Sequence, residues 1–113
     1  MMRNFTFLIL AFFDLLDAFK ELLDTASPEV VSITRETLTV KDKMSIIVEM
    51  LEGQKAIRFE EIFGEGITKI QLIVTFVALL ELIRLGLVKA YQEREFGSIW
   101  VINPAKQSTV VSQ

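Results

Sequence analysis

The segment of residues 68–102 constrains the fold of this chain more than any other. It begins with 18 residues, 68–85, of which 12 are apolar, and this run stops at Gly86. Two short β-rich runs follow, at 87–93 and 98–102, with Glu95, Phe96 and Gly97 in the turn between them. An apolar run of this length that stops at a glycine predicts a helix, and the two runs after it predict a hairpin.

The residues upstream predict three further elements. Thr39 and Asp42 have the spacing of a capping box, and an apolar stripe at helical spacing follows them, so a first helix is predicted to begin there. Gly53 is predicted to end this helix in a left-handed conformation. Residues 56–59 then predict a short strand, and residues 59–63 a short second helix.

The order of these elements predicts a winged helix over residues 39–102. Thr68 and Gln71 repeat the capping pattern at the start of the third helix, after a turn that contains Gly64 and Gly66. Helix, strand, helix, helix, strand, strand is the order of this helix-turn-helix variant. The predicted fold class is therefore mainly α with a small β-hairpin, preceded by an N-terminal helix.

The N-terminal helix is predicted over about residues 4–24. A linker at 25–38 contains Ser27-Pro28, and a polar tail follows at 103–113. Residues 5–13 have almost no polar side, and a helix that is apolar all round must be covered on several sides. A second interface, with a partner or with a second copy, is therefore expected at Phe5, Leu8, Ile9, Phe12, Phe13 and Leu16.

The same apolar run raises the question of a membrane anchor. It spans about nine residues and Thr6 interrupts it, whereas a spanning helix needs roughly 20 apolar residues. Asp14 and Asp17 follow it, and no small-residue cleavage site of a secretory signal is present. A contact with membrane is not expected, although tethering through residues 1–16 stays open as an alternative.

Composition and spacing disfavour an enzyme. The chain has no cysteine and no histidine, which removes thiolate metal sites, the commonest zinc ligand and the commonest general base. Glu60 and Glu61 are neighbours on a helix and point about 100° apart, so they make no two-carboxylate site. Asp14 and Asp17 are best explained as a solvated face. No catalytic residue, cofactor or metal is therefore expected.

Charge disfavours nucleic acid as the partner. The net charge is −3, with 12 basic against 15 acidic residues, whereas DNA-binding domains are usually basic. The third helix carries basic residues only at its ends, Lys69 and Arg84, and its face around Gln71, Thr75 and Ala78 is expected to point outward. Such a surface is suited to lie against another protein.

The apolar residues of the third helix divide between core and surface. Val74, Val77 and Leu82 are expected in the core. A strip wider than one helix face needs a second layer, so part of the set Phe76, Leu79, Leu80 and Ile83 is expected to contact a partner. Between the two β-rich runs, Glu93 and Glu95 flank Arg94, and the Phe96 that follows is expected to fold back onto the core.

At this point the sequence resembles a known family, the C-terminal winged-helix domain of the kleisin ScpA. The resemblance lies in Phe76-x-x-Leu79-Leu80-Glu81-Leu82, Gly86, a strand ending at Gln92, and Phe96-Gly97-x-Ile99. Weaker similarity lies upstream, in Thr34-Arg35-Glu36, Val40-x-x-Lys43-Met44 and Asp14-Leu15-Leu16-x-Ala18-Phe19. The similar region covers about residues 12–102.

The resemblance implies a binding subunit without chemistry of its own. A kleisin of this family bridges an SMC dimer: its N-terminal part binds the neck of one SMC protein, its middle region binds ScpB, and its C-terminal winged helix binds the ATPase head of the other. The complex serves chromosome condensation and segregation in the cytoplasm, at the nucleoid, and SMC hydrolyses the ATP. The neck-binding part has no counterpart here, so a C-terminal fragment or a short form is expected.

The resemblance also implies where partners bind. Contact with the SMC head is expected at Phe76, Leu79, Leu80, Ile83, Tyr91, Gln92, Phe96, Gly97 and Ile99. ScpB, or a second copy, is expected at the N-terminal helix. The alternative from another class is a winged-helix transcriptional regulator, which would need a basic surface assembled from Lys41, Lys43, Lys55, Lys69, Arg84, Lys89 and Arg94.

Overall fold

The computed structural model describes residues 2–26, 39–64, 67–92 and 97–105, with the side chains of the first helix described from Phe12 onward. Four helices, α1 (Met2–Thr25), α2 (Val40–Gly53), α3 (Phe59–Phe63) and α4 (Lys69–Arg84), combine with three strands, β1 (Ala56–Arg58), β2 (Lys89–Gln92) and β3 (Ile99–Ile102). The mainly helical winged-helix architecture predicted from the sequence is confirmed.

The helix starts follow from local capping. The Thr39 hydroxyl accepts a hydrogen bond from the Asp42 N–H, and the Asp42 carboxylate accepts one from the Thr39 N–H, both at 3.1 Å. These two bonds satisfy N–H groups that the first turn of α2 leaves free. Thr68 acts in the same way at α4, where its hydroxyl accepts from the Gln71 N–H at 3.3 Å. The predicted helix starts are therefore confirmed.

Of the two predicted glycine helix ends, the one at Gly86 is confirmed, and the left-handed conformation predicted for Gly53 is wrong. Gly86 has φ +79°, and the N–H groups of Gly86 and Leu87 donate to the carbonyls of Ile83 and Leu82, which is the pattern of a Schellman motif. Gly53 was predicted to be left-handed, but the described glycines of positive φ are Gly64 and Gly86. Helix α2 instead ends through the extended Gln54, because the chain must run at once into β1.

The sheet has three strands in the order β1-β3-β2, both pairings antiparallel. Strand β3 lies at the centre and pairs Val101 with Ile57 on one side and with Ala90 on the other. Val101 is fully buried, so the central strand of the sheet forms one wall of the core. The predicted hairpin of β2 and β3 is thus present, and we call these two strands with the turn between them the wing. Strand β1, which precedes α3 in the chain, pairs with the other edge of β3.

Helix α1 packs on the winged helix through its second half. Leu15 and Phe19 are buried, and Phe19 lies among aromatic side chains of α3 and α4. Its ring stacks on Phe76 with centroids 4.2 Å apart, and it approaches Phe63 at 5.9 Å. The N-terminal helix is therefore part of the same core.

Three sequence predictions fall on residues outside the described ones. They are most of the linker (27–38), most of the wing turn (93–96, with Phe96) and most of the tail (106–113). The glycine turn before α4 also includes Gly66, which belongs to this group.

Candidate protein-interaction surface

The solvent side of α4 is apolar. Ile70, Ile73 and Val77 are 53%, 46% and 43% exposed. Their spacing of three and four residues places them along one side of the helix, and we call this set the α4 outer face. Since the sequence from 70 to 80 contains no charged residue, this face offers a partner an uncharged strip.

Two expectations about the orientation of α4 were wrong. Val77 was expected in the core and is exposed, whereas Thr75 and Ala78 were expected to point outward and are fully buried. Helix α2 packs on α4, and small side chains let two helix backbones approach closely. The Thr75 hydroxyl is satisfied inside the helix, because it donates to the Gln71 carbonyl at 2.8 Å.

Three of the residues predicted for head contact lie in the core. Phe76, Leu79 and Ile99 are buried, and Leu79 is fully so. Their side chains face the interior of the domain in this structure, so their contact with a partner stays a prediction. Leu82, expected in the core, is buried there, and Val74 is half-buried.

Leu80 and Ile83 are half-buried and pack against the core while keeping part of their surface open. They lie toward the C-terminal end of α4. Leu85 and Leu87 flank Gly86 beyond that end, and both are about half exposed. Leu85 and Leu87, together with Ile70 and Ile73, were not predicted as surface residues from the sequence. If Leu72 and Leu79 are taken as buried, helical spacing places Ile70 and Ile73 away from the buried side, and this is the signal that could have predicted their exposure.

The predicted residues of the wing have different surroundings. Tyr91, on β2, is exposed and pairs across the ladder with Trp100. Gln92 is half-buried, and its Nε2 atom donates to the Gly97 carbonyl at 3.0 Å. Gln92 therefore joins the two strand ends on either side of the wing turn. Phe96 lies outside the described residues, so its expected contact with the core stays a prediction.

An ion pair borders the C-terminal end of the α4 outer face. Arg84 donates two hydrogen bonds to the Glu81 carboxylate, one from Nε at 3.1 Å and one from an amino nitrogen. These bonds hold the pKa of Glu81 below its ordinary value and raise that of Arg84. Because Arg84 pairs with Glu81, its positive charge is partly neutralised, and its attraction for a phosphate group is weaker.

A second apolar surface lies on α1. Phe12 and Phe13 are 43% and 55% exposed, and their rings meet edge to face with centroids 5.7 Å apart. Leu16 is half-buried and packs on the core. Phe5, Leu8 and Ile9 belong to the same helix, but their side chains are outside the described part. Within the described part of the chain, no helix is long and apolar enough to cross a bilayer. The same residues contain no group of three or more side chains that could hold a metal ion.

The order of elements and the sheet define this chain as a winged-helix domain with a long N-terminal helix. Residues 10–103 match the family described as segregation and condensation protein ScpA. The chain belongs to the ScpA family.

Relatives named segregation and condensation protein A support this assignment. The protein of Clostridium acetobutylicum is 33% identical over 87 residues, which cover 77% of this chain and 35% of the relative. That of Listeria welshimeri is 38% identical over 93 residues, covering 78% and 37%. That of Macrococcus caseolyticus is 37% identical over 71 residues, covering 63% and 30%. The chain thus spans about a third of the length of these relatives, in their C-terminal part.

Proposed function

We propose that this chain is the head-docking part of a kleisin, which binds the ATPase head of an SMC protein in a complex with ScpB. The complex would act in chromosome condensation and segregation, at the nucleoid in the cytoplasm. The observation that carries the proposal is the apolar α4 outer face, in a chain that belongs to the ScpA family. The chain would contribute binding, and ATP hydrolysis would belong to the SMC partner.

The α4 outer face argues for a protein rather than DNA. A DNA-reading helix carries Arg, Lys, Asn or Gln toward base edges and phosphates. At the corresponding side of α4 stand Ile70, Ile73 and Val77, which cannot neutralise phosphate. The alternative of a transcriptional regulator is therefore not favoured.

The residues predicted for the head contact divide into two roles under this proposal. Exposed Tyr91 and the open parts of Leu80 and Ile83 would enter the interface. Ile70, Ile73 and Val77, which were not among the predicted contact residues, would join them there. Phe76, Leu79 and Ile99 would hold these elements in place from the core. Gln92 would fix the wing through Gly97.

The decisive variant is Val77→Arg, assayed by titrating the SMC ATPase head of the same organism in a calorimeter. An interface anchor contributes about 2 kcal/mol or more, so we expect the Kd to rise about 30-fold or more. Val77 suits this test better than Leu80, because Leu80 also packs against the core and its replacement would disturb folding.

The matched control is Ile46→Arg, which places the same charge at an exposed apolar residue of α2. We expect it to bind the head as the unchanged chain does. A Val77→Arg variant with native circular dichroism and unchanged Kd would contradict the proposal, as would equal losses for the two variants.

The second interface, with ScpB or a second copy at α1, stays a prediction. Phe12→Lys replaces an exposed side chain, so the domain should keep its fold. Light scattering after size exclusion, with and without ScpB, decides between the two partners. A mass that exceeds 12.9 kDa without ScpB and returns to it in Phe12→Lys would identify the second copy. A mass that rises only with ScpB would identify ScpB.

A further inference from the structure

The anchoring of α1 on the winged helix extends over about two helical turns. Within the helix, Leu15, Phe19, Leu22 and Leu23 all pack in or against the core. They span about 12 Å along the helix axis. A helix held at a single point can swing about it, whereas one held along this length keeps its direction.

The central anchor is an aromatic socket. Phe19 stacks almost parallel on Phe76, with an interplanar angle of 7°, and also approaches Phe63. Phe59 completes the socket. Its ring lies edge-on to Phe63 and to Phe76, with centroid distances of 4.9 and 6.3 Å. Interiors of this kind are close-packed and transmit displacement rather than absorb it.

The half of α1 upstream of this anchor has no built-in hinge. Sharp helix kinks occur mainly at proline or at glycine-containing sites, and residues 2–25 contain neither proline nor glycine. The helical backbone is continuous from Met2 to Thr25, so residues 2–14 extend about 20 Å beyond Leu15. This half carries the exposed Phe12 and Phe13.

We propose that α1 is a rigid arm of the winged helix, with Phe19 as its positioning residue. The arm fixes where Phe12 and Phe13 lie relative to the α4 outer face, so that a partner on one surface is held at a set distance from a partner on the other. A rotation of the domain at α4 then moves the far end of the arm, because rigid elements carry displacement between sites. The rigidity itself does not rest on head docking.

A distance measurement between two spin labels tests the arm directly. The chain has no native cysteine, so Thr6→Cys on the arm and Glu49→Cys on the exposed side of α2 give one labelled pair without background. We expect a single narrow distance distribution from pulsed electron spin resonance. A broad or multiple distribution in this protein would overturn the inference.

Two further variants separate anchoring from helix continuity. Phe19→Ala empties the socket, and Phe13→Pro interrupts the helix upstream of Leu15 while leaving the whole anchor intact. Phe13→Pro should lose the single distance with the unfolding free energy of the domain nearly unchanged. Phe19→Ala should broaden the distance distribution, because Leu15 and Leu22 still hold the helix but its central contact is gone; an unchanged width would overturn the role of Phe19. Phe13→Ala is the control and should keep it. A narrow distance that survives Phe13→Pro would show that the arm is positioned by something other than its helix, and would also overturn the inference.

Discussion

The ring of Phe19 stacks on the ring of Phe76 at a centroid distance of 4.2 Å, and this contact joins helix α1 to the winged helix. Phe76 belongs to the motif by which the chain resembles its family, and it lies next to Val77 of the α4 outer face. One aromatic pair therefore connects the core of α4, the N-terminal helix and the proposed docking surface.

Phe19→Ala should destabilise the domain substantially. Truncation of a buried phenylalanine typically costs about 3 kcal/mol or more, since apolar area is lost and a cavity remains. Urea unfolding can be followed through Trp100, the one tryptophan of the chain. Phe13→Ala, at an exposed position of the same helix, should change the unfolding free energy by less than about 0.5 kcal/mol. Equal losses for the two would show that α1 does not pack through Phe19.

Gly86→Ala should destabilise through the backbone alone. Gly86 has φ +79°, and a Cβ atom built there meets no neighbour within 4 Å, so the cost is conformational, about 1–2 kcal/mol. Gly53→Ala is its counterpart: the added Cβ again meets nothing, and no positive φ is involved. Alanine there should stabilise α2 by about 0.5 kcal/mol. Melting temperatures that move in the same direction for both variants would contradict this account.

Thr39→Ala tests the capping box of α2. Its hydroxyl satisfies the Asp42 N–H, and loss of an N-cap side chain costs about 1 kcal/mol. Ser45→Ala removes a hydroxyl from an exposed interior position of the same helix and should leave stability within about 0.5 kcal/mol. Thermal unfolding by circular dichroism compares them. A cost for Ser45→Ala as large as that for Thr39→Ala would mean that the cap contributes nothing specific.

The order of elements could be predicted from the sequence because its signals are local. Thr39, Thr68 and Gly86 act within a few residues of themselves, and the structure confirms each of them. The prediction of a left-handed Gly53 was wrong, because a glycine can also end a helix that continues directly into an extended segment. The pairing of β1 with β3 joins residues far apart in sequence, which no local signal specifies.

The direction in which α4 faces could not be predicted from composition. With 12 apolar residues among 18, the periodicity does not identify which side is buried. Tertiary packing decides it: the small Thr75 and Ala78 turn inward and Val77 stays outside. The family motif could not distinguish core from interface either. It contains Phe76, Leu79 and Ile99, but large apolar residues occur both in a core and in a protein interface, so the motif did not predict that these three are buried.

Gln92→Ala should loosen the wing without unfolding the domain. The bond from Gln92 Nε2 to the Gly97 carbonyl joins the strand ends around the turn, and a hydrogen bond of this kind contributes about 1 kcal/mol. Gly97 is not fully buried, so water can replace the lost donor in the variant. We therefore expect only a small fall in unfolding free energy, together with faster amide hydrogen exchange at Gly97 and Ile99.

The same variant reports on the wing in partner binding. If the wing contributes to head docking, a loosened wing must be ordered again on binding, and the Kd should rise several-fold while α4 is unchanged. Ser98→Ala, at an exposed residue beside Gly97, is the control for both measurements. Hydrogen exchange that stays at its native rate in Gln92→Ala would show that the side-chain bond does not hold the strands together. Faster exchange with an unchanged Kd would indicate that the wing does not contribute to head docking and that the contact lies at the α4 outer face.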